Sequence, residues 1–367
     1  MFFKKFFLFI KSFDWSLFFI IVVFLAISLA IQYTLSLGTE NNDFSYFNRQ
    51  LLFVAIGLVL FFIFSFIDYR AYRAYANIFY IVILALLVLV LIIGLTYRGT
   101  KGWIGIGNYN FQVIELGKIA AIILLAKFWS IRIKNGVNIK EIVLSFVMLL
   151  PAFILVLLQP DFGSFFVLFS IWFLILLIID RKIKHFAWLF ALGVVVFISM
   201  WFGTLKNYQK DRILVYLDPG KDPFGRGYQI TQSMIAVGSG QLLGRGLGLG
   251  PQSQLRFLPQ NRTDFVFSVI AEELGLVGIS MILVFYFILF YRLLKMAKSA
   301  YDDFSLILIL GFASVFLIQI IINVGMNIGI VPIIGIPLPF LSYGGSSLIS
   351  SLIMMGILQS IILHKTT

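Results

Sequence analysis

The sequence predicts an all-α, polytopic membrane protein of about ten transmembrane helices, and three observations carry that prediction. Of 367 residues, 61% are hydrophobic and only 12% charged, with a mean hydropathy of +1.03; soluble domains do not have this composition. Apolar runs of roughly 20 residues, the length that crosses about 30 Å of hydrocarbon, recur along almost the whole chain. No soluble domain of normal size fits between them.

The candidate spans fall at 15–36, 48–67, 75–96, 114–130, 141–158, 163–180, 186–204, 265–291, 304–330 and 343–363. The first follows a Phe-rich lead-in with Lys4, Lys5 and Lys11. Its apolar run exceeds the roughly 7–15 residues of a cleavable signal core, so it predicts an uncleaved anchor with the lead-in along the inner interface. An even number of spans puts both termini on one side. One set of short connections holds Arg70, Arg73, Arg132, Lys134, Lys140, Arg181, Lys182, Lys184, Arg292, Lys295 and Lys298, whereas the other holds Arg49, Arg98 and Lys101. The positive-inside rule therefore predicts cytoplasmic termini in a bacterial inner membrane protein, with a long extracytoplasmic loop, 205–264, between spans seven and eight. No solenoid period or inverted repeat is visible, so residues 1–367 read as one helical bundle.

The net charge of +12 would suit nucleic acid on a soluble protein. On a membrane protein the placement of Lys and Arg reports orientation first, and no nucleic-acid partner is expected. The chain has no Cys and two His, which removes thiol chemistry and disulfides and argues against a zinc site of His/Cys type. Chemistry must rest on carboxylates, cations and backbone groups.

Glu115 and Lys118, three residues apart at the start of the fourth span, share a helix face and can pair. At membrane depth such groups are either packing contacts between helices or the wall of a wet cavity that binds a charged headgroup. Gln159-Pro160-Asp161 joins spans five and six, and Pro with Asp favours a tight turn there. Asp264 opens the eighth span, where it reads as a helix cap or as a general base. Glu272 and Glu273 follow on the same span, and at least one should turn inward. In the long loop Arg212, Arg226, Arg245, Arg256 and Arg262 outnumber Asp218 and Asp222. Such cations suit either a solvated face or the charge that develops on a phosphate leaving group. Gly244-Arg245-Gly246 lacks the spacing of a Walker loop.

Several runs, in order between about 100 and 347, resemble the SEDS (RodA/FtsW) family. They are Trp103-Ile104 to Lys118, Gln159-Pro160-Asp161, Tyr216-Leu-Asp-Pro219, Gly227-Tyr-Gln229, Gln232-Ser233, Gly238-Ser-Gly240, Leu258-Pro259 with Thr263-Asp-Phe265, Ala271-Glu-Glu-Leu-Gly275, Asn327-Ile-Gly329 and Pro337-Leu-Pro-Phe-Leu-Ser-Tyr-Gly-Gly-Ser346. Two departures stand out: the family's Q-P-S-E reads Gln112-Val-Ile-Glu115, and its G-S-G-G reads Gly238-Ser-Gly-Gln241.

The resemblance implies a peptidoglycan glycosyltransferase that polymerises lipid II, a polyprenyl-diphosphate-linked disaccharide pentapeptide, outside the membrane together with a class B penicillin-binding protein. It makes Asp264 the catalytic base, and it places Glu115 with Lys118 beside the central cavity and Asp161 in its acidic loop. Gly325-Met-Asn-Ile328 and the lack of long cytoplasmic tails are more similar to the RodA elongation branch. The expected substrate-contacting set is Glu115, Lys118, Asp161, Arg212, Gln232, Ser233, Arg245, Glu272 and Ser342. Arg212 is the first choice for holding the diphosphate, and a divalent cation, Mg or Mn, is the one cofactor this chemistry admits. A flippase for the same lipid is the rival reading, because buried ionisable pairs also mark transport paths.

Overall fold

The computed structural model describes residues 13–38, 43–97, 99–107, 109–180, 214–255 and 257–364, with isolated positions between 182 and 210. The expected seventh span, the N-terminal lysines, Arg212 and Arg256 lie outside the described residues. In chain order the helices are α1 (Trp15–Leu37), α2 (Ser45–Phe66), α3 (Tyr69–Ile93), α4 (Ile114–Arg132), α5 (Ile139–Leu158), α6 (Phe162–Ile179), α7 (Arg226–Ser239), α8 (Pro251–Gln254), α9 (Val266–Lys298), α10 (Asp303–Asn327) and α11 (Gly345–Leu363). Eight of them, α1–α3, α5, α6 and α9–α11, are long and apolar enough to cross a membrane. With α4, they match nine of the expected spans, and α3 and α9 run farther than their apolar cores because polar turns such as Tyr69–Arg73 continue the helix past the hydrocarbon.

Local chemistry sets the helix starts. Asp14 accepts the N–H groups of Ser16 and Leu17 at 3.1 and 3.0 Å and begins α1. Asp302 caps α10 through Ser305 N–H at 3.0 Å, and Asn138 with Glu141 forms a capping box for α5. Each satisfies N–H groups that a helix start leaves without partners.

Helix α4 carries four charged residues and is enclosed by its neighbours. It packs against α3, α5, α6, α10 and α11, and nearly all its residues from Ile114 to Ser130 are buried. Beside it α2 and α11 meet closely: a Cβ on Gly356 would fall 2.5 Å from the Phe61 carbonyl oxygen. Small residues permit such backbone contact where lipid supplies no hydrophobic drive between helices.

Between α3 and α4 the chain forms a small antiparallel sheet, β1 (Leu95–Tyr97), β2 (Thr100–Ile106) and β3 (Tyr109–Gln112), in the order β1-β2-β3. Trp103 pairs with Gln112 and Ile106 with Tyr109. This element lies outside the all-helical expectation. Its hairpins turn at Gly99 and Gly107, both with positive φ.

Helix α9 is broken at Gly275, where φ is 64° and ψ is −163°. The loop after α7 repairs the break. Arg245 and Gly246 N–H donate to the carbonyls of Glu272 and Glu273 at 2.9 and 3.0 Å, while Leu276 and Val277 N–H donate to the carbonyls of Gln241 and Leu242 at 2.9 and 3.1 Å. Backbone groups freed by a break at membrane depth need such internal partners. The approach leaves no room for a side chain, since a Cβ on Gly275 would lie 2.2 Å from the Gly244 nitrogen.

Candidate active site at one end of the bundle

A cavity of about 690 Å³ opens at the end of the bundle where α4, α6, α9 and α11 begin. Tyr46 and Arg49 of α2, the sheet residues Trp103 and Tyr109, Asp161 to Ser164, Arg226 and Gln229 of α7, Thr263 with Asp264, and residues 333–337 form its walls. Glu115 and Lys118 form part of its floor.

The floor is an ion pair with almost no solvent contact. Lys118 Nζ lies 2.8 Å from Glu115 Oε1 and donates a hydrogen bond to it, and Nζ is also 2.8 Å from Oε2. Ser350 of α11 donates to Oε2 at 3.0 Å. The pair is thus both a packing contact between helices and a part of the cavity lining.

Asp161 likewise serves two purposes. Its carboxylate caps α6 by accepting Ser164 N–H at 3.0 Å, and it accepts Gln112 Nε2 at 2.8 Å and Ser164 Oγ at 2.7 Å. The turn expected from Pro and Asp is present, on the cavity wall.

Asp264 is 8% exposed and also lines the cavity. The N-cap position of α9 falls on Phe265, so Asp264 stands one residue outside the helix. Its backbone is fixed from α10: the carbonyl accepts Asn323 Nδ2 and Asn327 Nδ2, each at 3.0 Å. Ser342 donates to the Thr263 carbonyl at 2.7 Å and accepts Leu338 N–H at 2.8 Å, which ties the neighbouring residue to the loop before α11. Gly335 leaves the carboxylate room, with Oδ2 3.5 Å from where a Cβ would stand.

Arg49 and Arg226 bring positive charge to the cavity, while the charge of Lys118 is matched by Glu115. The Arg49 guanidinium lies over the Tyr109 ring at 6.0 Å, and its charge acts on the Tyr343 hydroxyl. Burial raises the Tyr343 phenol above its ordinary value against the pull of that guanidinium, which keeps the hydroxyl protonated near neutrality.

Of the expected site residues, Asp264, Glu115, Lys118 and Asp161 converge on the cavity, and Arg212 lies outside the described residues. Five do not line it. Ser233 is spent on Ser268 Oγ at 2.7 Å and the Asn327 carbonyl at 2.8 Å, inside the α7–α9–α10 contact. Gln232 is partly buried on α7 outside the lining, and Arg245 is exposed on the loop beyond it. Ser342 acts through the Thr263 carbonyl. Glu272 accepts Gln252 and Ser253 N–H at 2.8 and 2.9 Å, so this buried acid holds the start of α8. Glu273 accepts Thr34 Oγ1 at 3.2 Å and Gln254 Nε2 at 3.1 Å. Both acids do turn inward, onto protein partners.

Sequence reasoning did not select Arg49, Gln112, Gln229 or Tyr343 for the site. Arg49 did carry a signal, as one of few cations in the connections opposite the basic set. Among the described residues no three His, Asp or Glu converge as metal ligands.

A bundle of apolar helices with a charged, carboxylate-bearing cavity at one end defines a multi-pass membrane protein equipped to handle a polar headgroup. The family model described as cell cycle protein, FtsW/RodA/SpoVE, matches residues 10–367, and the chain belongs to that family. It is 36% identical over 324 residues to the stage V sporulation protein E of Bacillus subtilis, covering 88% of each chain. It is 35% identical to the peptidoglycan glycosyltransferase MrdB of Escherichia coli over 89% of this chain and 88% of that one. A solved structure from work on the coordination of polymerisation and crosslinking by a peptidoglycan synthase complex superposes with a TM-score of 0.81 at 30% identity, covering 97% and 99% of the two chains.

Proposed function

We propose that this chain is a peptidoglycan glycosyltransferase that polymerises lipid II in the cavity, on the extracytoplasmic face of the cytoplasmic membrane. Relatives named for that activity, aligned over most of the chain, support the reaction class. The observation that carries the site is the position of Asp264, on the cavity wall with its backbone held from α10. Arg70, Arg132, Lys140, Arg292, Lys295 and Lys298 lie at helix ends opposite the cavity, which under the positive-inside rule supports an external cavity and cytoplasmic termini.

In this reading Asp264 accepts the proton of the acceptor sugar 4-hydroxyl as that oxygen bonds the donor anomeric carbon. The bond from that carbon to the diphosphate oxygen breaks, and polyprenyl diphosphate leaves with the electron pair. Fixed cations are worth most where such charge develops. Arg49 and Arg226 stand on the walls to receive it, and Arg212 is a further candidate. A divalent cation, Mg or Mn, would arrive on the diphosphate, since no cluster of three acidic or His ligands is found among the described residues. The polyprenyl tail stays in lipid beside the bundle. A class B penicillin-binding protein is the proposed partner, in line with the synthase complex in which the matched structure was described. Gly325-Met-Asn-Ile328 supports a place in cell elongation rather than division.

Purified protein should extend lipid II into glycan in detergent, tested with and without the cognate penicillin-binding protein. Asp264→Asn should bind lipid II and build none. A wild-type protein that makes no polymer in either condition, yet moves lipid II across vesicle membranes, would replace this reading with a flippase.

A further inference from the structure

We propose that the segment from Gln241 to Leu249, part of a connection that sequence places in water, is immersed in the membrane. It forms a ridge of leucines that inserts into the acyl region of the leaflet on the cavity side, beside the break in α9. The inference concerns the lipid contact of this loop and holds whatever reaction the cavity performs.

Two rulers set the depth. Arg292 marks the opposite membrane edge, because it pairs at 3.8 Å with Asp14, the residue that caps α1. Gly275 stands about seventeen residues from Arg292 along α9, or about 25 Å at 1.5 Å per residue. Thr34 stands about nineteen residues beyond Trp15 along α1, or about 28 Å. The loop is fastened at both marks. Its backbone bonds straddle Gly275, and the Cβ position of Gly248 lies 3.8 Å from Thr34. Against a hydrocarbon core of about 30 Å, the loop therefore runs within the last few ångströms on the cavity side.

The chemistry fits that depth. Leu243, Leu249, Leu242 and Leu247 are 81%, 70%, 66% and 53% exposed, and they continue the exposed face of α9 at Leu276 and Val277. Meanwhile the polar backbone is largely paired within the protein. Besides the four bonds across the helix break, Gly244 N–H reaches the Gly240 carbonyl at 2.8 Å and Leu249 N–H reaches the Gly246 carbonyl at 3.1 Å. Irregular backbone survives at membrane depth only when its hydrogen bonds are met internally. Arg245, exposed in the same segment, has the long stem needed to lift its charge to lipid phosphates.

The chain has no cysteine, so Leu243→Cys and Leu249→Cys each provide a lone thiol for an environment-sensitive dye in the full-length protein. The labelled proteins would be reconstituted in phosphatidylethanolamine and phosphatidylglycerol vesicles and exposed to a lipid nitroxide near the headgroup end of the acyl chain or to aqueous iodide. Val284→Cys, exposed midway along α9, sets the response of an immersed site. The nitroxide should remove most of the emission at 243 and 249, and iodide little. Strong quenching by iodide would place the ridge in water and overturn the proposal. Quenching by neither would mean that protein, such as a second copy, covers it, and would overturn it equally. Two separate thiol positions guard against one variant that fails to fold.

Discussion

Glu115 and Asp264 face the same cavity from different settings: the Glu115 carboxylate is bonded to Lys118 and Ser350, and the Asp264 carbonyl is bonded to Asn323 and Asn327. Glu115 sits on a continuous, enclosed helix, with its oxygens taken by Lys118 and Ser350. Asp264 sits just before a helix, in a segment fixed through its main chain by Asn323, Asn327 and the neighbouring Ser342 latch. A carboxylate neutralised by a lysine three residues away is poorly placed to take a proton from a substrate. Asp264 lies on the cavity wall with its main chain held from α10.

The hardest test of that contrast is Asp264→Asn. Loss of a positioned base should lower glycan synthesis about 10² to 10⁴-fold, while thermal stability stays near wild type. A large fall in stability with modest loss of activity would reverse the two roles. The pair should behave oppositely. Lys118→Met strands a buried carboxylate and should cost about 3–5 kcal/mol of stability, whereas the double change Lys118→Met with Glu115→Gln should recover much of it; thermal unfolding in detergent reads both. Asn327→Ala sharpens the comparison at the supporting shell. It removes donors to the Asp264 carbonyl and the acceptor for Ser268 N–H, and should cost about 1–3 kcal/mol. Turnover should drop with little change in the KM for lipid II. Ser342→Ala, which releases the Thr263 carbonyl and Leu338 N–H, should show the smallest effect, about 1 kcal/mol, in the same assays.

The sequence made the long helices legible because each must supply an unbroken apolar run of fixed length. It concealed the break in α9. Ala271-Glu-Glu-Leu-Gly275 reads as helix, and nothing local reveals that the loop from Gln241 to Gly246 supplies the missing partners. The same limit explains Glu272. An acid at membrane depth signals a buried partner, but the partner proved to be the amides at Gln252 and Ser253, about twenty residues away in sequence and adjacent only in the fold. Motif resemblance located Asp264, Glu115, Lys118 and Asp161 because their roles are tied to fixed positions. Arg49 and Arg226 carry no comparable local mark, and only the fold brings α2 and α7 to one hollow.

The lysine and glutamate of the cavity floor belong to one helix turn, which bears on how the hollow can change shape. Had the two charges come from different helices, every sliding or tilting of the bundle would have pulled an ion pair apart where separation is costly. As built, opposite charges travel together, and the surrounding helices can shift to admit or release a bulky sugar chain while the base of the chamber stays electrically neutral.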